Sequence, residues 1–363
     1  MKKQHLIIAV ACLALIAGLT YWAKVRGQHD THIIKVGFVS PMTGPFEPYS
    51  KEILRGAQLA IDEANQKQES FKLLVEDSKA EPKSALAAFN KLRADGVTYF
   101  IGDLLSSSTL AMVPELDAQR VVLICPTGSD EQIVKGSKYS FSIYSSAKDE
   151  ACFMADSIAS SSRTSIAIFY SSNPTAIDMA RAARSQVKSN GGQVLFYEEI
   201  PKSLSDYESV VAKLPNTAQT MLFGFPNEIP PLMKAATEKG IHTAWILPST
   251  MYDPSAALQL KDITEKIEVV APKMEGEKTI HDFYPGFALY RDKFGKDPSI
   301  WTALGYDAAS LITKNQTVNA DEFVNSLIGK IHNGISGKIS FIESRHAKKE
   351  LRKVAIVNGK FAE

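Results

Sequence analysis

Val97-Thr98-Tyr99-Phe100-Ile101-Gly102-Asp103-Leu104-Leu105-Ser106-Ser107-Ser108-Thr109 is the stretch whose reading decides the fold. β-favouring residues run into a glycine, then a serine cluster, then a helix-compatible run from Leu110 to Gln119. A strand that ends in serines at a helix start gathers hydroxyls and free backbone N–H groups at one point. The pattern repeats one element later. Val121-Val122-Leu123-Ile124-Cys125 is a second apolar strand, and Pro126-Thr127-Gly128-Ser129-Asp130 follows it. In an open α/β sheet, ligands sit beyond the carboxyl ends of neighbouring strands. Taken singly, either turn is as well explained by helix capping. Taken together, the two point to a small anionic or polar ligand.

Upstream, Ile33 to Val39 reads as a buried strand, and Ser40 to Tyr49 as a Pro/Gly turn that ends it. Ser50 is expected to cap a helix whose Ile53, Ala57, Ile61 and Ala64 share one face. Phe71 to Val75 is the next strand, and Pro82 opens a helix carrying Leu86, Phe89 and Leu92. The order β-α-β-α-β-α-β predicts a parallel sheet with helices on both faces. Downstream the progression restarts. Tyr139 to Tyr144 is a short strand before a helix around Glu150, and Ser165 to Tyr170 is a strong one. Gln193–Tyr197, Thr220–Phe223, Ala244–Leu247 and Ile267–Ala271 follow, separated by helices, so the middle of the chain holds a second βαβ unit. His281–Phe294, Ile300–Lys314 and Ala320–His332 read as helices with no sheet of their own, before two terminal strands, Lys338–Ile342 and Arg352–Val357. These helices are expected to return to the first unit.

Composition bounds the function. The chain has 363 residues, room for two domains of ~150 residues each. Its net charge is +1, so no global field favours nucleic acid. Lys2, Lys3 and His5 precede an apolar run over residues 6–23, which predicts an export signal or an uncleaved membrane anchor within residues 1–27. The protein is therefore expected to be periplasmic or otherwise extracytoplasmic, tethered to the inner membrane if residues 6–23 are retained. Cys125 and Cys152 are the cysteines beyond that segment, and an oxidising compartment permits a disulfide between them. No cysteine–histidine cluster has metal-ligand spacing. No nucleotide-binding glycine motif, zinc-protease helix or nucleophile elbow is present, so neither cofactor, metal nor catalytic residue is expected. His242, His281 and His346 read as surface residues, and Asp62-Glu63 and Asp149-Glu150 as solvated helix faces.

Ile34-Lys35-Val36-Gly37-Phe38-Val39-Ser40-Pro41-Met42-Thr43-Gly44-Pro45 resembles the opening of type I periplasmic binding proteins, which include the leucine/isoleucine/valine-binding proteins of ABC importers. Arg55 to Asn65, the Ile101-Gly102…Ser106-Ser107-Ser108-Thr109 turn and Gly305-Tyr306-Asp307-Ala308-Ala309 continue the resemblance, which covers Ile33 onward. It implies two doubly wound parallel-sheet lobes with three hinge crossovers and ligand in the cleft between them. Lobe 1 would hold 33–147 plus 278–335, and lobe 2 would hold 148–277 plus 336–363.

The resemblance also implies site residues. Ser106 and Ser129 match the positions that hold the ligand carboxylate, with Ser107, Thr127 and Gly128 beside them. Tyr49 matches an aromatic wall of the side-chain pocket. On lobe 2, Thr175 stands where the amino-acid binders have a tyrosine. The Gly224–Asn227 stretch, with Phe225, is a residue shorter than their tyrosine-bearing loop. Ser249 stands where they carry the acid that pairs the ligand ammonium. A buried ammonium lacking its carboxylate costs several kcal/mol. Two expectations therefore stand: a carboxylate ligand without an α-amine, or an amino acid whose ammonium meets Asp253 or Glu228. The implied function is capture of an amino acid, des-amino acid or amide by hinge closure. Delivery to ABC transporter membrane subunits would follow, the binding protein being a monomer. The alternative is an anchored sensor of the same fold that signals through a partner.

Overall fold

The computed structural model describes residues 33–362 apart from 68–69, 159–164, 202–203, 216–218, 274–285, 296–297, 318 and 343. The candidate signal or anchor and His281 lie outside the described residues. Five strands form the first sheet: β1 (Ile34–Ser40), β2 (Phe71–Asp77), β3 (Tyr99–Gly102), β4 (Val122–Cys125) and β5 (Ser140–Ser142). All are parallel, in the order β2-β1-β3-β4-β5. The two central strands β3 and β4 are buried throughout, as a parallel sheet covered on both faces requires. Between them run α1 (Glu47–Gln66), α2 (Pro82–Ala94), α3 (Ser106–Gln119) and the single turn α4 (Gln132–Lys135).

The second sheet is built from β6 (Ser165–Tyr170), β7 (Gln193–Glu199), β8 (Gln219–Phe223), β9 (Ala244–Leu247) and β10 (Ile267–Pro272), parallel in the order β7-β6-β8-β9-β10. Helices α5 (Ala147–Asp156), α6 (Pro174–Ser189), α7 (Leu204–Val211), α8 (Ile229–Glu238) and α9 (Pro254–Leu258) accompany it. The parallel sheet of the second lobe is extended by the two terminal strands. β13 (Leu351–Val357) joins β10 antiparallel, and β14 (Lys360–Ala362) folds back on β13, so the sheet has seven strands and a mixed edge.

Helices α10 (Gly286–Phe294), α11 (Ile300–Asn315) and α12 (Ala320–Leu327) return to the first lobe. The crossing of α11 and α1 is glycine-on-glycine. A Cβ on Gly56 would lie 1.9 Å from the Thr302 carbonyl oxygen, and one on Gly305 would lie 1.9 Å from that of Ile53. Helix α12 stops at Leu327 rather than near His332, because Gly329 turns the chain with φ of +74°. Residues 331–334 are then strand β11, paired antiparallel with β12 (Gly337–Ser340). Residues 335 and 336 form the turn of this hairpin, and the turn is bonded to α11. The Asp307 carboxylate of α11 accepts the Ile335 and Ser336 N–H groups at 2.9 and 2.8 Å. Lys349 Nζ closes the cluster on the Ser336 carbonyl at 2.8 Å.

Several local expectations change. Ser50 lies inside α1, its hydroxyl 2.8 Å from that of Ser40, and Phe46 occupies the cap position without a side-chain bond. His346 is buried, not on the surface: the backbone of residues 345–347 pairs with Ser142 of β5 and holds the segment against that strand. His242 is exposed, 3.0 Å from Glu265. Glu63 accepts the Tyr306 hydroxyl at 2.8 Å, whereas Asp62 faces solvent beside Lys293. Cys125 and Cys152 are both free thiols.

Candidate functional site

A cavity of about 380 Å³ lies between the two lobes, at the carboxyl ends of the strands of both sheets. The turn after β3 contributes Leu104, Leu105, Ser106 and Ser107. Ser106 is the first residue of α3, a 14-residue helix, so its hydroxyl stands beside unpaired helix-start N–H groups. The turn after β4 contributes Thr127, Ser129 and Asp130. The Thr127 hydroxyl donates to the Leu104 carbonyl at 2.9 Å and ties the two turns together. Gly128 does not reach the cavity wall. Its N–H donates to Cys125 Sγ at 3.1 Å, and a Cβ there would fall 2.4 Å from Ile133 Cδ1. Gly128 therefore shapes the turn that presents Ser129. Ser129 is buried, and its carbonyl accepts the Ala147 N–H at 3.0 Å, so α5 starts on this turn.

From the second lobe come Thr175 at the start of α6, the Gly224–Glu228 turn, Pro248 and Thr250. The aromatic wall differs from expectation. Tyr49 does not line the cavity but lies 5.4 Å from the Trp301 ring, and Trp301 lines it instead. Phe46 of lobe 1 meets Phe225 of lobe 2 edge-on at 5.6 Å, so the rings already bridge the cleft. Ser249 stands one layer back. Its N–H and Oγ reach the two oxygens of Glu150 at 2.6 and 2.8 Å, and its Oγ also meets the Tyr144 hydroxyl. With Ser249 Oγ donating to Glu150, Tyr144 donates to Ser249, and every hydroxyl proton in the chain of bonds is used.

Glu150 lines the cavity and is 2 % exposed. Reading Asp149-Glu150 as a solvated face was wrong for Glu150. The missed signal is periodic. Ala147, Glu150, Ala151, Met154 and Ala155 form the buried stripe of α5, and one acid interrupts it. The two replacement acids named from sequence separate. Asp253 caps α9, accepting the Ser255 and Ala256 N–H groups at 2.9 and 3.1 Å, and does not line the cavity. Glu228 lines it, accepting the Ser171 hydroxyl at 2.6 Å.

Electrostatically the cavity is one-sided. Asp130, Glu150 and Glu228 line it, and no Lys, Arg or His does among the described residues. Burial pushes the Glu150 carboxyl above its usual range, partly offset by the two Ser249 bonds. The Tyr144 phenol is pushed up by burial and then by Glu150, so it stays a donor. No group of His, Cys, Asp and Glu suited to a metal ion occurs among the described residues.

Comparison with known proteins agrees with this architecture. The chain is 24% identical over 330 residues to the Leu/Ile/Val/Thr-binding protein of Salmonella typhimurium, covering 87% of this chain and 88% of that one. The Streptococcus pneumoniae branched-chain amino acid transporter substrate-binding protein LivJ, solved with isoleucine, superposes with a TM-score of 0.80 at 21% identity, over 91% of this chain and 98% of that one. An ABC-transporter solute-binding protein from Rhodopseudomonas palustris, solved with 3,4-dihydroxybenzoic acid, gives 0.78 at 19% identity, over 91% and 95%. Residues 33–358 match the family model described as periplasmic binding protein, and the chain belongs to that family.

Proposed function

We propose that this protein captures an amino acid between its lobes and delivers it, outside the cytoplasm, to an ABC importer. The observation that carries this reading is the pairing of unlike poles in one cavity. One pole offers Ser106, Ser129 and the α3 N-terminus, donors suited to a carboxylate. The other offers the Glu150 carboxylate, fixed by Ser249 and suited to an ammonium. Without an amine to receive, Glu150 escapes a buried charge by holding its proton, as its raised pKa favours; an ammonium would let it ionise. Glu150 would thus supply the acid that Ser249 lacks, which favours a ligand that carries an α-amine.

Binding needs no chemistry. Ligand contacts to both lobes lower the free energy of the closed form, and a membrane transporter reads that form. The relative from Salmonella, named for binding Leu, Ile, Val and Thr, supports an amino-acid ligand. Calorimetric titration with amino acids and their des-amino analogues tests the reading. Amino acids should bind, and Ser106→Ala or Ser129→Ala should each weaken them about 10- to 100-fold, the worth of a hydrogen bond to a charged group. Binding of des-amino acids alone would refute it. An anchored sensor of the same fold is the second reading, favoured by the basic-then-apolar start. A mature protein that begins at Met1 in the membrane fraction would support it. No described helix is long and apolar enough to cross a membrane.

A further inference from the structure

Granting that the cavity is an amino-acid site, its charge exceeds what such a ligand needs. A neutral zwitterion brings one ammonium and one carboxylate, and so adds no net positive charge. The wall holds three carboxylates and no basic side chain among the described residues. One acid, Glu150, answers the α-ammonium. Asp130 and Glu228 remain; Asp130 already accepts the Gln132 N–H at 2.8 Å at an exposed turn, and Glu228 is anchored separately. Its Oε2 accepts the Ser171 hydroxyl at 2.6 Å and the Phe225 N–H at 3.3 Å, and Oε1 takes neither bond. A carboxylate held in this way keeps a lone acceptor oxygen available.

The surroundings of Glu228 are aromatic. Phe225 is three residues away in the same turn, Phe46 packs edge-on against Phe225, and Trp301, 5.4 Å from Tyr49, lines the same cavity. Tyr49 feels this acid as well. Its phenol is pushed up to about 12 by burial first, then by Asp253 and Glu228. Aromatic faces beside a carboxylate attract cations, because the ring quadrupole and the acid act with the same sign. Leucine-type side chains use the rings but leave Glu228 unanswered.

We infer that the preferred ligand is a basic amino acid of the lysine, ornithine or arginine type, with Glu228 receiving its side-chain cation against the Phe46–Phe225–Trp301 wall. Glu228 is then the residue that sets specificity, and Glu150 the one that requires an amino acid at all.

Titration of the purified protein with lysine and norleucine isolates the distal charge, since the two differ at the chain end by the ammonium. Lysine should bind about 10- to 100-fold more tightly than norleucine. In Glu228→Gln, which keeps an acceptor for Ser171 and Phe225, the lysine-to-norleucine ratio should collapse toward one. Norleucine or leucine binding as tightly as lysine overturns the inference and leaves the amino-acid reading standing. A Glu228→Gln protein that keeps the wild-type ratio also overturns it. Failure of every α-amino acid to bind overturns the underlying reading instead. The wild-type comparison decides the matter even if Glu228→Gln does not fold.

Discussion

On the proposed amino-acid reading, Ser249 and Glu150 divide one task between two positions. A serine where relatives carry an acid reads, in sequence, as a lost ammonium site. The structure turns that serine into the support of an acid 99 positions earlier. Residue-by-residue comparison could not find this, because the acid sits on another element. The buried stripe of α5 could have. Glu150→Gln should have two opposed effects. Ligand affinity should fall about tenfold or more, read by calorimetry. The ligand-free protein should melt higher near neutral pH, because a buried carboxyl that resists ionising no longer has to be accommodated. Asp103, at the foot of the serine turn, extends the argument to pH. Burial pushes it up from 3.8 to about 7, so the folded protein holds a proton that the unfolded chain has released. Its contribution is most favourable below about pH 4, declines as pH rises through about 7, and then levels off. Asp103→Asn should flatten that decline. Urea midpoints at about pH 5 and 8 would show the two proteins converging at the lower value.

Elements with strong periodicity were legible. The strands of the first sheet, the Ile53-Ala57-Ile61-Ala64 face of α1 and the βα repeat of the second lobe follow from side-chain spacing alone. What escaped was set by contacts distant in sequence. Phe323 and Leu327 continue a helical pattern to Ile331, but Gly329 reverses the chain and Asp307 of α11 collects the hairpin turn beyond it. Ser50 looks like a cap and is instead an interior residue paired with Ser40, since the helix already begins at Glu47. The α1–α11 crossing is the element-scale feature most open to test. Backbone rather than a movable side chain meets each missing Cβ, so Gly56→Ala or Gly305→Ala should cost about 1–3 kcal/mol or more. Guanidinium unfolding would measure it, and a loss below about 0.5 kcal/mol would mean the helices can separate freely.

At the scale of the molecule, sequence resemblance conveyed two lobes and a cleft, and the charge of the cleft emerged only when turns from seven strands were brought together. Closure is a whole-molecule event. Ligand should reduce the radius of gyration by roughly 1 Å from the roughly 20 Å typical of a compact chain this long, measured by small-angle scattering. Phe225→Ala, which removes the ring that meets Phe46, should weaken that contraction at sub-saturating ligand. The strand at 351–357 has a consequence in time rather than space. It lies between β10 and β14 in the second sheet, while α11 at 300–315 seals the first. Neither half can therefore finish as a contiguous N-terminal piece during synthesis. Until residue 357 has emerged the second sheet lacks an edge, and until about residue 315 the first lacks its cover. A nascent chain wired this way stays unfinished until residue 357 has emerged, which is the condition a translocation channel needs if it is to thread the polypeptide before it locks.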